Sequence, residues 1–470
     1  MDIYYHLLTA WGFIQAGGYS GWDFWQYAPF GRLHIYPPLL HLILALFIKM
    51  GMSKVLLAKM FETLMPVVFL FVVRYIIRKY YSDRLAFFTM VTLSSSFSFY
   101  MSLINHLPAT LAIIFGLFAF EQLFQRRLLR AVVLLTLCFY THIGISLFSA
   151  LSFIFYALLN PEYRRFCLNT LVSVIILSSP IICKELIGLK LVSRLGFNLV
   201  EKRFCQFKVS EYLLAFMGLW IVFKLRGRYW LFLSLFLASF IFLAYPYRFF
   251  SQEGYLPIIF LSAVSLDYLS TKLSHKKISK YIVFLLVLFL LFISPTILLE
   301  NPFSRSQARG SVIFAQTAIT GMIFPTDESR GFSNTIWYPD EYLSTANFIK
   351  ENSQNNDIIY SSINLLGVCF ASLSERATAN ALLPEIDTKI NFDPLSVSKI
   401  IVVAKDENPQ QLNQVINKYN LVKIGENKLF FLYKNDACNS KIDIRKASLP
   451  FWCIGIMVLA LIISLIIHLT

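Results

Sequence analysis

Residues 280–299 read Lys-Tyr-Ile-Val-Phe-Leu-Leu-Val-Leu-Phe-Leu-Leu-Phe-Ile-Ser-Pro-Thr-Ile-Leu-Leu, and Lys280 is their only charged side chain. Such a run has no polar face to offer water, and about 20 apolar residues cross the hydrocarbon core of a bilayer as a helix. Comparable runs occupy 55–77, 85–103, 107–124, 166–187, 209–224, 228–245, 254–270 and 449–468. The stretch 129–159 is too long for one upright span, since a single helix over it would reach ~46 Å at ~1.5 Å per residue. It is read as two short helices meeting at Thr141–His142. The sequence thus predicts a polytopic α-helical membrane protein of about 11 spans. Composition agrees: 57% of residues are hydrophobic and 15% charged, against roughly 45–50% and about 25% in soluble domains. That balance excludes a soluble globular protein, a disordered chain and a disulfide scaffold. The seven cysteines form no CxxC pair; Cys369 and Cys438 share the most polar part of the chain and could pair.

The net charge of +15 invites a nucleic-acid reading that its distribution removes. Residues 300–448 carry 15 basic and 16 acidic side chains, while 1–299 carry 27 and 11. The excess therefore lies between apolar runs, where the positive-inside rule puts it, and forms no continuous phosphate-tracking groove. Five basic loops (Arg74/Arg78/Lys79/Arg84, Arg126/Arg127/Arg130, Arg164/Arg165, Lys224/Arg226/Arg228 and Lys272/Lys276/Lys277/Lys280) alternate with neutral or mixed ones. With these five cytoplasmic, residues 104–106, 188–208, 246–253 and 300–448 fall outside. The loop 188–208 is external yet basic, either a tolerated exception or an anionic headgroup site. Residues 36–50 are read as an external interfacial helix started by Pro37–Pro38. The expected divisions are an extracytoplasmic loop with that helix (1–54), a multi-span domain (55–299), an extracytoplasmic segment (300–448) and a last span (449–470).

From residue 340 the apolar pattern changes period. Helices are predicted at Asp340–Asn352, Asn364–Arg376 and Asn408–Asn420. Strands are predicted at Asp357–Ser362 and Lys399–Lys405, with a hairpin over Leu421–Lys434 turning at Gly425–Asn427. These elements predict a small extracytoplasmic α/β domain.

Chemistry-bearing side chains concentrate at the N-terminus: Asp2-Ile-Tyr-Tyr-His6, then Gly17-Gly-Tyr-Ser-Gly-Trp-Asp23-Phe-Trp, then Gly31-Arg32-Leu-His34-Ile-Tyr-Pro-Pro-Leu-Leu-His41. Asp2 and His6, four apart, would share a helix face. A carboxylate and an imidazole there could hold a divalent cation or act as base and orienter. The aromatic residues suit a sugar face or an interfacial belt equally well. Tyr245-Pro-Tyr-Arg248-Phe-Phe-Ser-Gln-Glu253 falls at an outer mouth, where a guanidinium can clamp a lipid-linked phosphate or snorkel to the interface. His142, at the break in 129–159, can satisfy freed backbone groups or face a site.

The order Asp2-x-Tyr-Tyr-His-Leu, Trp-Asp-x-Trp and Gly-Arg-x-His-x-Tyr-Pro-Pro-Leu-Leu-His resembles the first extracytoplasmic loop of GT-C glycosyltransferases. The likeness is nearest to the oligosaccharyltransferase catalytic subunit and its uncharacterised archaeal and bacterial relatives, some of them named 6-pyruvoyl-tetrahydropterin synthase-related membrane proteins. The resemblance implies a membrane transferase using a sugar on a polyprenyl phosphate or diphosphate at the outer face. It implies Asp2 and His6 at the catalytic centre, with Asp2 on a divalent cation (Mg or Mn), and Arg248, Arg32 and His34 on the donor phosphate. Asn105 and His106 correspond to a second outer loop, which in relatives often supplies an acidic residue and here supplies none. A span precedes the loop's Asp in the family, and whether one is encoded before Met1 stays open. No Trp-Trp-Asp motif supports transfer to asparagine in protein.

The expected partners are a polyprenyl-linked sugar donor, membrane lipids and an unidentified acceptor, with no nucleic acid; the expected location is the plasma membrane, multi-pass. The alternatives are a non-catalytic or N-terminally truncated GT-C-fold protein and a polytopic transporter, the last predicting ionisable residues buried mid-span.

Overall fold

The computed structural model describes residues 2–96, 99, 102–103, 105–189, 205–244, 246–273, 277–293, 296–299, 311–313, 340–381 and 391–455. The chain divides into two compact units: Met1–Phe61 with Cys183–Gly196 and Phe332–Thr470, and Glu62–Ile182 with Phe197–Gly331.

The first unit opens with the helix Asp2–Ala16, where a loop was expected. The Asp2–His6 spacing signalled its first turn; the apolar content of residues 7–16 carries it on to Gly17, whose φ of +81° suits a helix C-terminus. Gly12 has no side chain because the buried Trp25 ring lies directly on it. Trp11 and Trp25 are buried rather than arrayed as an interfacial belt. The segment that follows is held by backbone pairing. Gly18–Tyr19 runs antiparallel to Leu449–Pro450, and Trp22–Asp23 runs antiparallel to Arg32–Leu33. The helix Leu39–Lys49 follows Pro38 and packs on the first helix.

In the same unit a five-stranded sheet has the order Val422–Glu426, Phe430–Lys434, Ile400–Ala404, Ile358–Ser361, Ala377–Thr378. The first three strands pair antiparallel and the last two pairings are parallel. Helices Asp340–Glu351, Asn364–Ser374 and Pro409–Tyr419 alternate with the strands. The hydrophobic centre joins sheet residues Ile358, Ile400, Val402 and Leu432 to Phe13, Phe24 and Trp25 of the N-terminal segment. That segment lies along the sheet's edge: Thr378 N–H donates to the Trp25 carbonyl at 3.0 Å and Ala28 N–H to the Thr378 carbonyl at 3.1 Å. Cys369 and Cys438 are buried and not joined to each other, so the possible disulfide is not formed.

The second unit is mostly helical. Its helices include Asp83–Ser95, Leu107–Phe124, Leu128–Phe139, Ile143–Leu159, Val209–Leu225, Trp230–Ser239 and Leu256–Leu273. The stretch 129–159 is two helices, broken at Tyr140–His142 as expected. Among the described residues, four helices are long and apolar enough to cross a membrane: Lys54–Tyr80, Leu107–Phe124, Pro161–Gly188 and Arg248–Lys272. The run 280–299 is not one helix: Lys277–Leu288 gives way to a π-turn, and Thr296–Leu299 is a strand between Cys205–Lys208 and Ser311–Ile313. Most of the basic loop 188–208 lies outside the described residues, but its last residue, Lys208, is buried and reaches the Ser95 carbonyl.

Candidate active site

Each unit holds one cluster of the residues singled out above. In the first, strand register sets Asp23 opposite Arg32. The Arg32 Nε donates to Asp23 Oδ2 at 3.3 Å, and His34 Nδ1 meets Asp23 Oδ1 at 2.6 Å. All three side chains are buried, and Arg32 also reaches Gln26 and stacks on Tyr27. His6 Nδ1 lies 2.9 Å from His41 Nε2, and the rings of His34 and His41 stand 5.6 Å apart. Lys184 joins the cluster through the Tyr19 hydroxyl.

Burial works to raise the Asp23 pKa, but the charges and hydrogen bonds of His34 and Arg32 outweigh it and hold the carboxyl below its ordinary value. His34 is pushed down, chiefly by burial and also by Lys184, against the pull of Asp23. His41 lies well below the usual imidazole value because it is buried beside His6, His34 and Lys184. Arg32 and His34 therefore brace the loop through Asp23, and His6 is joined to His41. Asp2 opens the first helix.

The second cluster joins three stretches distant in sequence. His106 precedes the helix Leu107–Phe124, His142 precedes Ile143–Leu159, and Arg248 sits on the short helix Pro246–Ser251 before the turn Glu253–Tyr255. His106 Nδ1 lies 3.0 Å from Glu253 Oε1. Arg248, His106 and His142 all stand close enough to act electrostatically on the Glu253 carboxylate. His142 Nδ1 accepts the Ile145 N–H at 3.3 Å, so it caps its helix as well as bordering the cluster. Asn105 is half-buried beside His106.

Sequence reasoning picked out Arg248, His106 and His142 separately and left Glu253 unassigned, although it quoted the run that ends there. Glu253 meets His106 across 147 positions, and only its position at the same predicted mouth as Arg248 could have signalled it. Glu211 is a second buried carboxylate, bonded by Ser95 and Tyr255 and accompanied by Lys208.

No metal donor set is assembled: among the described residues no three His, Cys, Asp or Glu stand together in a way that could hold an ion. Asp23 is closed off by His34 and Arg32, and one Glu253 oxygen by His106. The Asp2 side chain, on which the cation was expected, lies outside the described residues.

No family model matches the sequence, and no curated protein does. Solved structures do. The oligosaccharyltransferase AglB of Archaeoglobus fulgidus, in complex with an inhibitory peptide and a dolichol-phosphate, superposes with a TM-score of 0.51 at 12% identity, covering 93% of this chain and 70% of its own. The apo form of the Archaeoglobus fulgidus enzyme gives 0.53 at 11% identity over 94% and 71%. Apo ArnT of Cupriavidus metallidurans gives 0.51 at 12% identity over 93% of each chain. The chain has a GT-C-like fold. The GT-C likeness extends beyond the N-terminal motif to nearly the whole chain, and at these identities it is a likeness of fold.

Proposed function

We propose that this GT-C-like protein is a membrane glycosyltransferase that takes a sugar from a polyprenyl-phosphate or polyprenyl-diphosphate donor on the extracytoplasmic side. The observation that carries the reading is the gathering of Arg248, His106, His142 and Glu253 in one place. Basic-loop parity assigns 104–106 and 246–253 to the outer side, and the break at His142 joins two short spans at that same side. A membrane transferase needs its cationic and acid–base groups at one mouth.

The chemistry is displacement at the anomeric carbon. The acceptor oxygen bonds to that carbon while the bond to the phosphate oxygen breaks and its electron pair stays on phosphate. Arg248 offsets the charge that develops there. Arg32 and His34 hold the N-terminal segment in shape, with His6 and His41. A divalent cation, Mg or Mn, is tied to Asp2 alone, and no step is routed through one. The dolichol-phosphate in the AglB complex supports a lipid-phosphate ligand. The remaining proposals are about 11 spans, an extracytoplasmic 300–448 containing the small α/β domain, a final span at 449–470, and residence in the plasma membrane.

The buried Glu211, with Lys208 close enough to act on it electrostatically, is what the transporter reading asks for. It lies in the first turn of Val209–Leu225, however, with Ser95 and Tyr255 satisfying the carboxylate. A carboxylate closed off at a helix end is a clasp, not an ion path.

The test compares Arg248→Ala with Arg130→Ala for binding of a synthetic short-chain polyprenyl phosphate. Losing a charge-assisted phosphate contact from a desolvated site costs on the order of 2–5 kcal/mol, so Arg248→Ala should bind at least tenfold more weakly while Arg130→Ala binds as wild type. Equal binding by the two removes Arg248 from the site.

A further inference from the structure

We propose that His106, oriented by the buried Glu253, is the general base that takes the acceptor's proton; the assignment rests on the transferase reading above. The two histidines of the cluster sit alike, each just before a helix, but they are used differently. His142 Nδ1 is occupied in accepting the Ile145 N–H. His106 makes no side-chain cap, and its Nδ1 instead faces the Glu253 carboxylate at 3.0 Å. A carboxylate only accepts, so Nδ1 carries the hydrogen and the Nε2 lone pair points away from Glu253. The two side chains differ in access: His106 is 22% exposed and Glu253 3%. The imidazole can therefore meet a substrate, and the carboxylate acts only through it. His106 is the catalytic residue and Glu253 the positioning residue.

The carboxylate is held firmly. Glu253, Gly254 and Tyr255 form one buried turn. Gly254 lies so close to Phe249 that a Cβ there would come within 2.8 Å of the Phe249 Cα. Tyr255 ties the turn to Glu211. A fixed acceptor sets the ring's tautomer and orientation, and it stabilises the imidazolium that forms.

Atoms and charge balance. The acceptor O–H proton passes to His106 Nε2 as the oxygen attacks the anomeric carbon. The carbon–oxygen bond to phosphate breaks with its electron pair remaining on phosphate. The new imidazolium faces Glu253, and the phosphate faces Arg248. Among the described residues, Arg248, His106 and His142 are the charged and titratable groups gathered at the Glu253 carboxylate, so the site supplies a fixed anion for the base and a cation for the leaving group.

The experiment uses the full chain in lipid nanodiscs with a panel of citronellyl-phosphate hexosides and water as acceptor, reading sugar release. Diethyl pyrocarbonate modification is followed histidine by histidine by mass spectrometry. The expected result is loss of sugar release in step with modification of His106. His106→Gly should release sugar roughly 10²–10⁴-fold more slowly, with rate restored by added imidazole. Glu253→Gln should lower kcat with KM little changed and slow the modification of His106. Because the modification is read on the unaltered protein, a variant that misfolds does not block the decision. Retained release after full modification of His106, or a loss in folded His106→Gly that imidazole does not restore, overturns the base while leaving the transferase reading in place. Absence of release by the unaltered protein with every hexoside overturns the transferase reading and the base with it.

Discussion

At the scale of single residues, burial makes Asp23 the most sensitive charge in the N-terminal segment. Its partners Arg32 and His34 are themselves buried. Removing its charge takes a buried carboxylate away from the Arg32 guanidinium, a loss of about 3–5 kcal/mol. Asp83, whose pair with Arg78 is solvent-exposed, should cost less than about 1 kcal/mol when replaced. Asp23→Asn is thus expected to lower the thermal midpoint strongly and Asp83→Asn hardly at all. The same cluster fixes the direction of pH dependence. The His34 and His41 pKa values are lowered in the folded state. Their contribution is therefore complete above the unfolded imidazole value of about 6.5 and is lost as pH falls from there toward the folded values. The Asp23 pKa is also lowered, so its contribution is present above about 3.9 and is lost only at more acidic pH. Thermal unfolding in detergent should show stability falling between pH 7 and 5, and His41→Gln should flatten that slope. A profile flat over this range in the unaltered protein would mean that these imidazoles are not buried neutral.

At the scale of elements, the N-terminal segment is held to the sheet by a few backbone bonds along the strand Ala377–Thr378. The Thr378 N–H points at the Trp25 carbonyl. Thr378→Pro removes that donor, worth about 1 kcal/mol, and should admit trypsin at Arg32 at a rate the unaltered protein resists. Unchanged cleavage would show that Trp25 packing alone holds the segment. This attachment was not legible in the sequence, because two-residue strands carry no periodicity. What was legible had a strong local signal. The strand Ile400–Ala404 and the hairpin Val422–Lys434 follow from β-branched and aromatic runs, but the turn lies at Asn427–Leu429 and not at Gly425–Asn427, because Gly425 and Glu426 still pair with Leu432 and Phe431. The helix break at Tyr140–His142 follows from length alone. The run 280–299, continuous in hydrophobicity, is helical to Ile293 and a strand at Thr296–Leu299, a change of element that the apolar pattern does not announce. The site divided in the same way. Arg248 and His106 stood out as polar groups between apolar runs, whereas Glu253 gains its meaning only from a contact with His106 that no local pattern encodes.

At the scale of the molecule, the proposed site and the proposed topology constrain each other. His106, His142 and Glu253 belong to one cluster, so the turns that carry them must lie on one side of the membrane. Parity from the five basic loops independently gives 104–106 and 246–253 the same outer side, and it gives the 300–448 segment that side as well. Inverting the protein would carry all five basic loops outward against the positive-inside bias. Labelling can decide. Cys369 and Cys438 are buried and make poor targets, but Asn439 is exposed. In intact cells, Asn439→Cys should react with a membrane-impermeant maleimide, and Arg127→Cys, in a predicted cytoplasmic loop, should react only after permeabilisation. The reverse pattern would place both 300–448 and the Arg248 mouth on the cytoplasmic face, and a donor presented outside the cell could not then reach the site.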